Sequence, residues 1–292
     1  MEQTWAPAHT GAWGALDLEN VAAVLRGRRV VALTGAGMST ESGIPDYRGP
    51  VTGQKARQPI RFQQFLSDAT WRTRYWARSA RGWPAIAQAR PNAAHRALAQ
   101  LEQGGVVRGV ITQNVDGLHQ DAGSVRVVEL HGALHRVRCL QCGGLEPRAR
   151  LQQRILAENP GLTVAREMLA PDGDAELAVE LLDGFCVPGC EACAGLLKPD
   201  VVFFGENVPG AVVQDAWALL AEAEVLLVAG SSLTVFSGYR FVKRAHEDGV
   251  PVVILNVGPT RGDPHAMVRL EGRLGEVLPA LAEVLLTASP LG

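Results

Sequence analysis

The run VALTGAGMSTESGIPDYRG, residues 31–49, decides the fold. It begins as an apolar, β-branched strand (Arg29–Thr34) and breaks at Gly35-Ala36-Gly37. Glycines at the carboxyl end of a first strand let backbone approach a pyrophosphate closely. The spacing departs from the dinucleotide fingerprint: the third glycine is missing, and no strand ending in Asp or Glu follows about twenty residues on to hold a ribose. Alone, the Gly-x-Gly would be satisfied by a tight turn. The next residues are less generic. Ser39, Ser42 and Gly43-Ile44-Pro45-Asp46-Tyr47-Arg48 gather hydroxyls, a carboxylate, an aromatic ring and a guanidinium in one loop.

Outward from this loop, short apolar runs alternate with helical patterns, as in a parallel sheet covered on both faces. Further strands are expected at Gly109–Thr112, Arg126–Leu130, Val225–Ala229 and Val252–Asn256. Helices are expected at Ala93–Glu102, with Asn92 as N-cap, and at Val213–Glu222, Tyr239–Glu247 and Leu274–Leu285. Residues 1–20 read as an N-terminal tail. The Arg- and Trp-rich residues 55–91 read as a helical insertion, and residues 139–197, turn-rich at 171–174, as a separate module. The fold class is therefore α/β, with the main unit at 21–138 and 198–288.

Composition narrows the function classes. The 292-residue chain is 47% apolar and 20% charged, which is ordinary for a folded soluble protein. A net charge of −2 offers no field for nucleic acid or anionic membrane, so neither is expected as a partner. The N-terminus is a poor signal peptide and no stretch is apolar enough to span a bilayer, so the expected location is the cytoplasm.

In a reducing compartment, four of the five cysteines form a metal pattern rather than disulfides. Cys139-x-x-Cys142 and Cys190-x-x-Cys193 supply four soft ligands suited to one tetrahedral, closed, structural zinc ion. The interval between the pairs is longer than in the usual ribbon. Cys186 is left over. With four thiolates available, the neighbouring His131 and His135 are not needed on the metal.

A second polar cluster, Thr112-Gln113-Asn114-Val115-Asp116-Gly117-Leu118-His119, follows another strand and should converge with the first loop at the sheet's carboxyl edge. An Asx turn capping a helix would account for it equally well.

GAGMSTESGIPDYRG, TQNVDGLH, ELHG, the paired Cys-x-x-C, KPDVVFFGE, GSSLTV and ILNVGPTR occur in that order. Together they resemble the sirtuins, NAD-dependent enzymes that remove acyl groups from protein lysines, over about residues 21–285. RYWARSARGWP, CLQCGG, APDGD and the YRF after GSSLTV look like the class II branch. The resemblance implies a Rossmann-like doubly wound parallel sheet with a smaller inserted zinc-binding module and NAD in the cleft between them.

It also implies roles, residue by residue. Gly35, Ala36, Gly37, Ser39, Ile44, Pro45, Asp46, Tyr47 and Arg48 would line the NAD loop; Tyr47 stands where many members carry Phe. Gln113, Asn114 and Asp116 would face the nicotinamide and its ribose. Gly230, Ser231 and Ser232 would meet phosphate and ribose, Asn256, Val257 and Gly258 the adenosine ribose, and Leu274 the adenine. His131 would be the general base, with Asn114 and Asp116 assisting nicotinamide departure; imidazole titrates near neutrality, as that task requires. His135 is expected to be a bystander, and His95 and His119 to pack or hydrogen-bond.

The partner implied is an acyl-lysine peptide, entering as an added strand along Val202-Phe203-Phe204-Gly205-Glu206 and Leu233–Phe236. Phe204 and Val235 would wall the acyl tunnel. Tyr75 and Arg78 match a Tyr-x-x-Arg that desuccinylating sirtuins use to hold an acidic acyl chain; an ordinary solvated helix competes with that reading. Two alternatives remain: a protein mono-ADP-ribosyltransferase on the same scaffold, and a non-catalytic zinc-containing binding module.

Overall fold

The computed structural model describes residues 13–46, 59–162 and 184–287. Its strands are β1 (Val30–Thr34), β2 (Val107–Thr112), β3 (Val127–Glu129), β4 (Gly132–Cys139), β5 (Leu145–Pro147), β6 (Leu197–Val201), β7 (Val225–Ala229), β8 (Val252–Leu255) and β9 (Val268–Leu270). Helices are α1 (Ala15–Leu25), α2 (Phe62–Ser67), α3 (Ala69–Gln88), α4 (Ala93–Gln103), α5 (Leu118–Asp121), α6 (Arg148–Glu158), α7 (Gly210–Leu220), α8 (Phe236–Glu247) and α9 (Leu274–Thr287).

Six parallel strands form the main sheet in the order β3-β2-β1-β7-β8-β9. Counting only the strands of this sheet along the chain, that is the 3-2-1-4-5-6 order of the dinucleotide-binding fold, with its switch point between β1 and β7. Every residue of β1, β7 and β8 is buried, because helices cover both faces. Val30 and Ala32 face α1, α4 and α9, while Val31 and Leu33 face α7 and α8. Truncating Leu33 to alanine costs about 2–5 kcal/mol.

The first helix corrects the expected tail. Residues 15–20 belong to α1, and Leu18, Val21, Ala22 and Leu25 are buried at i, i+3, i+4 and i+7 against α9 and the sheet. That helical spacing had been hidden by the Gly- and Ala-rich approach to it. β9 was also missed, since three residues with one exposed arginine carry too little periodicity.

A second, antiparallel sheet has the order β5-β4-β6. Pro199 lies in β6, an edge strand, where a missing donor is tolerated. Because β4 begins at Gly132 and β6 ends at Val201, this sheet reaches a few residues beyond 139–197 on both sides. α2, α3 and α6 pack against it through Phe65, Trp76, Trp83, Leu134, Val137 and Ile155. Between α3 and α6, the buried Arg148 guanidinium lies 5.5 Å from the Trp76 ring and 4.9 Å from Trp83, a cation–π setting.

Candidate active site and metal centre

Register brings the site together. Thr34 is level with Thr112 on one side and Ala229 on the other, so the loops after β1, β2 and β7 leave the sheet side by side. The loop after β1 forms two short 3-10 turns, Ala36–Met38 and Thr40–Ser42. Its glycines serve contact with the β7 loop. Gly37 N–H donates to the Gly230 carbonyl at 2.8 Å. A Cβ on Gly35 would lie 2.8 Å from Ser231 Cβ, one on Gly37 2.8 Å from Gly230 Cα, and one on Gly230 2.6 Å from Met38 N. Three glycines thus make a seam between loops, rather than only a cradle for pyrophosphate. Leu274, at the start of α9, closes on the same seam beside Gly230.

The floor of the cleft is a polar network. Ser39 Oγ donates to Asp116 Oδ2 at 2.6 Å, and Leu118 N–H donates to Asp116 Oδ1 at 3.0 Å. Asn114 Nδ2 donates to the Gly35 carbonyl at 3.0 Å and to Ser39 Oγ at 3.1 Å. Gln113 Nε2 reaches the Thr34 carbonyl (3.2 Å) and Ser231 Oγ (2.8 Å). Burial holds the Asp116 carboxyl above its ordinary range, opposed by the hydrogen bonds from Ser39 and Leu118. Asn92 caps α4, accepting from Ala94 and His95, and its Nδ2 donates to the Met38 carbonyl at 2.7 Å. The expected N-cap therefore also clasps the first loop.

His131 sits where the two sheets join. Leu130 N–H still bonds to the Thr112 carbonyl of the large sheet, while the His131 carbonyl accepts from Val202 N–H at 2.8 Å beside the small one. Gly132, at φ +78°, makes the crossing; a Cβ there would run into the Asp200 carbonyl. The ring is held at both nitrogens, Nδ1 at 2.8 Å from the Gln113 carbonyl and Nε2 at 2.8 Å from Ser237 Oγ. Burial and the nearby Arg240 lower its pKa, with the Gln113 bond opposing.

His135 is more than a bystander. Its Nε2 hydrogen-bonds the Asp116 carbonyl at 2.8 Å, and its ring rests 5.3 Å from that of Trp83. His95 and His119 meet edge-to-face in the core, ring centroids 4.9 Å apart, with His119 Nε2 2.9 Å from Thr34 Oγ1. Desolvation brings their pKa values down to about 4 and about 3.

On the far side of the cleft, Asn256 is buried at the end of β8, its Nδ2 donating to the carbonyls of Val257 (2.9 Å) and Gly258 (3.0 Å). Val257 is exposed, and Gly258 has φ +78°. Ser232 Oγ lies 3.0 Å from Thr234 Oγ1. Leu233 takes φ +56°, an uncommon left-handed backbone for a leucine, supported by Leu233 N–H to Ser231 Oγ at 3.2 Å. Ile44 is buried, with Pro45 and Asp46 beside it. Tyr47 and Arg48, and the turn at 171–174, lie outside the described residues.

These groups fit NAD. Hydroxyls, side-chain amides and one buried carboxylate around the sheet's switch point suit ribose and carboxamide. Gln113, engaged with Ser231, stands just past β2, near where an acidic ribose anchor would be expected.

The bare edge expected for a peptide is corrected in part. Val202 N–H is used by His131, Phe203 N–H by Glu206 Oε2 at 2.8 Å, and the Phe204 carbonyl by Phe62 N–H at 3.0 Å. Lys198 Nζ, 3.0 Å from Glu206, ties the 202–206 turn to β6. Phe236 starts α8 and Leu233 is left-handed, so of the other expected segment Val235 is the residue with extended backbone, at φ −78° and ψ 126°. Phe204 and Gly205 lie at this turn, Phe204 exposed and Val235 half-buried. Tyr75 and Arg78 are both buried on α3, Tyr75 against Phe65, Trp76 and Phe203.

The four cysteines converge. All four Sγ atoms lie within 4.8 Å of one another, with Cys139–Cys193 at 3.5 Å and Cys142–Cys190 at 3.8 Å. Tetrahedral zinc with Zn–S bonds of about 2.3 Å asks for sulfurs about 3.8 Å apart. The two knuckles repeat one geometry: Cys139 N–H to the Gly144 carbonyl and Cys190 N–H to Gly195, with Gly143 N–H returning to Cys139 and Ala194 N–H to Cys190. The amides of Cys142 and Gln141 bring the Cys139 thiol down to about 6. Cys193, for all the help of the Gly195 amide, is pushed up to about 12 by the surrounding thiols. Four thiols in such competition are resolved by one cation that stabilises all four thiolates, and a structural Zn2+ ion fits. Cys186 stands apart, its thiol 3.0 Å from Glu158.

The fold and site define a class: a dinucleotide-binding α/β protein with an imidazole at the cleft and a four-cysteine module beside it. The Sir2 family model matches residues 35–237. The chain belongs to that family. It is 50% identical to NAD-dependent protein deacetylase 1 of Mycobacterium avium, across 95% of this chain and 98% of that one. It is 48% identical to the mitochondrial NAD-dependent protein lipoamidase sirtuin-4 of Bos taurus, across 91% and 87%. Among solved structures it is similar to a Sir2 protein with p53 peptide and NAD+, with TM-score 0.73, 30% identity and coverage of 91% and 98%.

Ser237 and Arg240 escaped the sequence reading. A serine in the first turn of a helix reads as a cap, and nothing linear joins it to His131, 106 residues away.

Proposed function

We propose that this chain is an NAD-dependent protein-lysine deacylase, moving the acyl group from lysine to ADP-ribose with release of nicotinamide. The observation that carries this reading is His131, held at the sheet junction beside the Ser39–Asp116–Asn114 network. Deacetylase relatives at half identity over nearly the whole chain support the same reading.

NAD supplies an activated anomeric carbon with nicotinamide as its leaving group. Asn114 and Asp116 hold the nicotinamide end, with Ser39 and His135 fixing the Asp116 carboxylate and its backbone. His131 keeps its proton on Nδ1, donating it to the Gln113 carbonyl, and offers the Nε2 lone pair to a ribose hydroxyl. Much of the effect is positioning within a partly desolvated cleft. The acyl-lysine peptide lies between the 202–206 turn and Leu233–Val235. A reducing cytoplasm would keep the cysteines as zinc ligands.

The test is nicotinamide release from NAD with unmodified, acetyl-, succinyl- and lipoyl-lysine peptides of one sequence, with His131→Ala alongside. Release is expected to require an acyl-lysine and to vanish in turnover by His131→Ala. Release indifferent to the acyl group would instead support ADP-ribosyl transfer. Arg78→Ala, run on the succinyl peptide, reports whether Tyr75 and Arg78 read an acidic chain; equal rates in variant and wild type would discard that role.

A further inference from the structure

We propose that Ser237 is a positioning residue for His131, and that the Ser237-Gly238 step at the head of α8 serves to bring its hydroxyl to the imidazole. This rests on the reading of His131 as general base. Because a carbonyl can only accept, the ring N–H on the Gln113 side must donate, leaving a lone pair at Nε2. Ser237 Oγ lies 2.8 Å from that nitrogen and donates to it in the resting site. A hydroxyl is both donor and acceptor, so it can reverse. The ribose hydroxyl takes the place of the serine proton at that lone pair. As its oxygen bonds to the acyl carbon, which capture on the ribose has left as an imidate, the carbon–nitrogen π pair moves onto the lysine nitrogen. The hydroxyl proton passes to Nε2, and Ser237 turns to accept from the new Nε2–H. One side chain thereby steadies the ring in both protonation states, and Gln113 holds the opposite nitrogen unchanged.

Local packing is arranged for this contact. Ser237 is the second residue of α8, whose first turn closes through Gly238 and Tyr239 N–H to the Val235 carbonyl. A Cβ on Gly238 would run into the Gln113 side-chain amide. That amide is already pinned by Thr34 and Ser231, so it has little room to yield. Glycine at 238 is therefore what lets α8 lie against Gln113, and that approach delivers the Ser237 hydroxyl. Behind it, Arg240 Nε donates to the Ser237 carbonyl at 3.1 Å, with its guanidinium 5.1 Å from the Phe241 ring and 5.7 Å from Trp217. The serine is braced from both sides. Val235 and Leu233, which precede it, border the proposed peptide position, so the same short segment meets substrate and base.

The experiment compares wild type, Ser237→Ala and Ser237→Thr by two readouts. The first is nitrogen NMR of the His131 imidazole in the unliganded protein, assigned by its loss in His131→Ala. The Nε2 resonance is expected to move toward that of a bare lone pair in Ser237→Ala and to return in Ser237→Thr. The second is the ratio of acyl-ADP-ribose formation to nicotinamide exchange with an acetyl-lysine peptide. That ratio should fall about tenfold in Ser237→Ala, equivalent to about 1.4 kcal/mol at the later step, and recover in Ser237→Thr. An unmoved Nε2 resonance overturns the contact. A ratio that stays at the wild-type value, even with both rates reduced, overturns the positioning role and leaves a structural one. If wild type releases no nicotinamide with any acyl peptide, the deacylase reading fails, while the NMR arm still decides the Ser237–His131 contact.

Discussion

Ser39 and Asp116, 77 residues apart in the chain, are joined by a 2.6 Å hydrogen bond that locks the loop after β1 to the loop after β2. The hydroxyl is one of the two strongest forces favouring a charged carboxylate in a buried position, and the Leu118 amide is the other. Ser39→Ala should therefore raise the Asp116 pKa further. If deacylation needs the carboxylate, the acid limb of its pH profile moves to higher pH. A buried hydrogen bond to a charged group contributes about 1.5–3 kcal/mol, so a comparable loss of stability is expected by urea titration. An unshifted acid limb would remove Asp116 ionisation from the reaction.

The glycine seam makes a sharper claim. Gly230→Ala places a methyl against Met38 N and forces alanine to φ +66°. Overpacking costs about 1–3 kcal/mol and the left-handed backbone about 1–2 more. Thermal unfolding should show a loss of about 3 kcal/mol, with NAD binding weakened by calorimetry. Gly143→Ala, also left-handed but with open space at Cβ, should lose only the backbone part.

The buried pair His95 and His119 makes stability fall in mild acid. Their folded pKa values, about 4 and about 3, lie below the ordinary 6.5 of the unfolded chain. The unfolded state thus binds more protons between those limits, and stability rises with pH across that window. It is fully present above pH 6.5 and is lost as pH falls, by roughly 3 kcal/mol for His95 alone near pH 4. Urea midpoints taken from pH 7.5 to 4.5 should decline accordingly, and His95→Phe should flatten the slope. A slope unchanged in that variant would assign the acid loss elsewhere.

Much of this architecture was legible in the chain, for identifiable reasons. β1, β7 and β8 were visible because strands buried on both faces are continuous apolar runs. The cysteine pairs announced their module because ligand spacing is local. His131 stood out only through its motif. What stayed hidden was tertiary: β9, too short to show a period; the Ser237 contact, made across two loops; and the Val202 amide and Phe204 carbonyl of the 202–206 turn, occupied by partners distant in sequence. The role of the seam glycines was also hidden, since the sequence says that a side chain is absent but not what fills its place.

Metal removal should be felt at the cleft. Cobalt substituted into the protein is expected to give the absorption of a tetrahedral four-thiolate site, and Cys142→Ser should weaken it. After chelation under reducing conditions, hydrogen exchange should quicken in β4 and β6, and at His131 with them. Exchange confined to the knuckles would mean that the two sheets are mechanically independent.

That coupling gives β4 the status of a length standard. His131 immediately precedes it and Cys139 ends it, so its eight residues separate the proposed base from the four-cysteine site. From Val137 to Cys139 the pairing with β6 is regular, and a strand turns its side chains over with each residue, so one inserted or deleted position there would turn Cys139 away from its partners. A designer grafting a new zinc module onto this chain would have to keep that count.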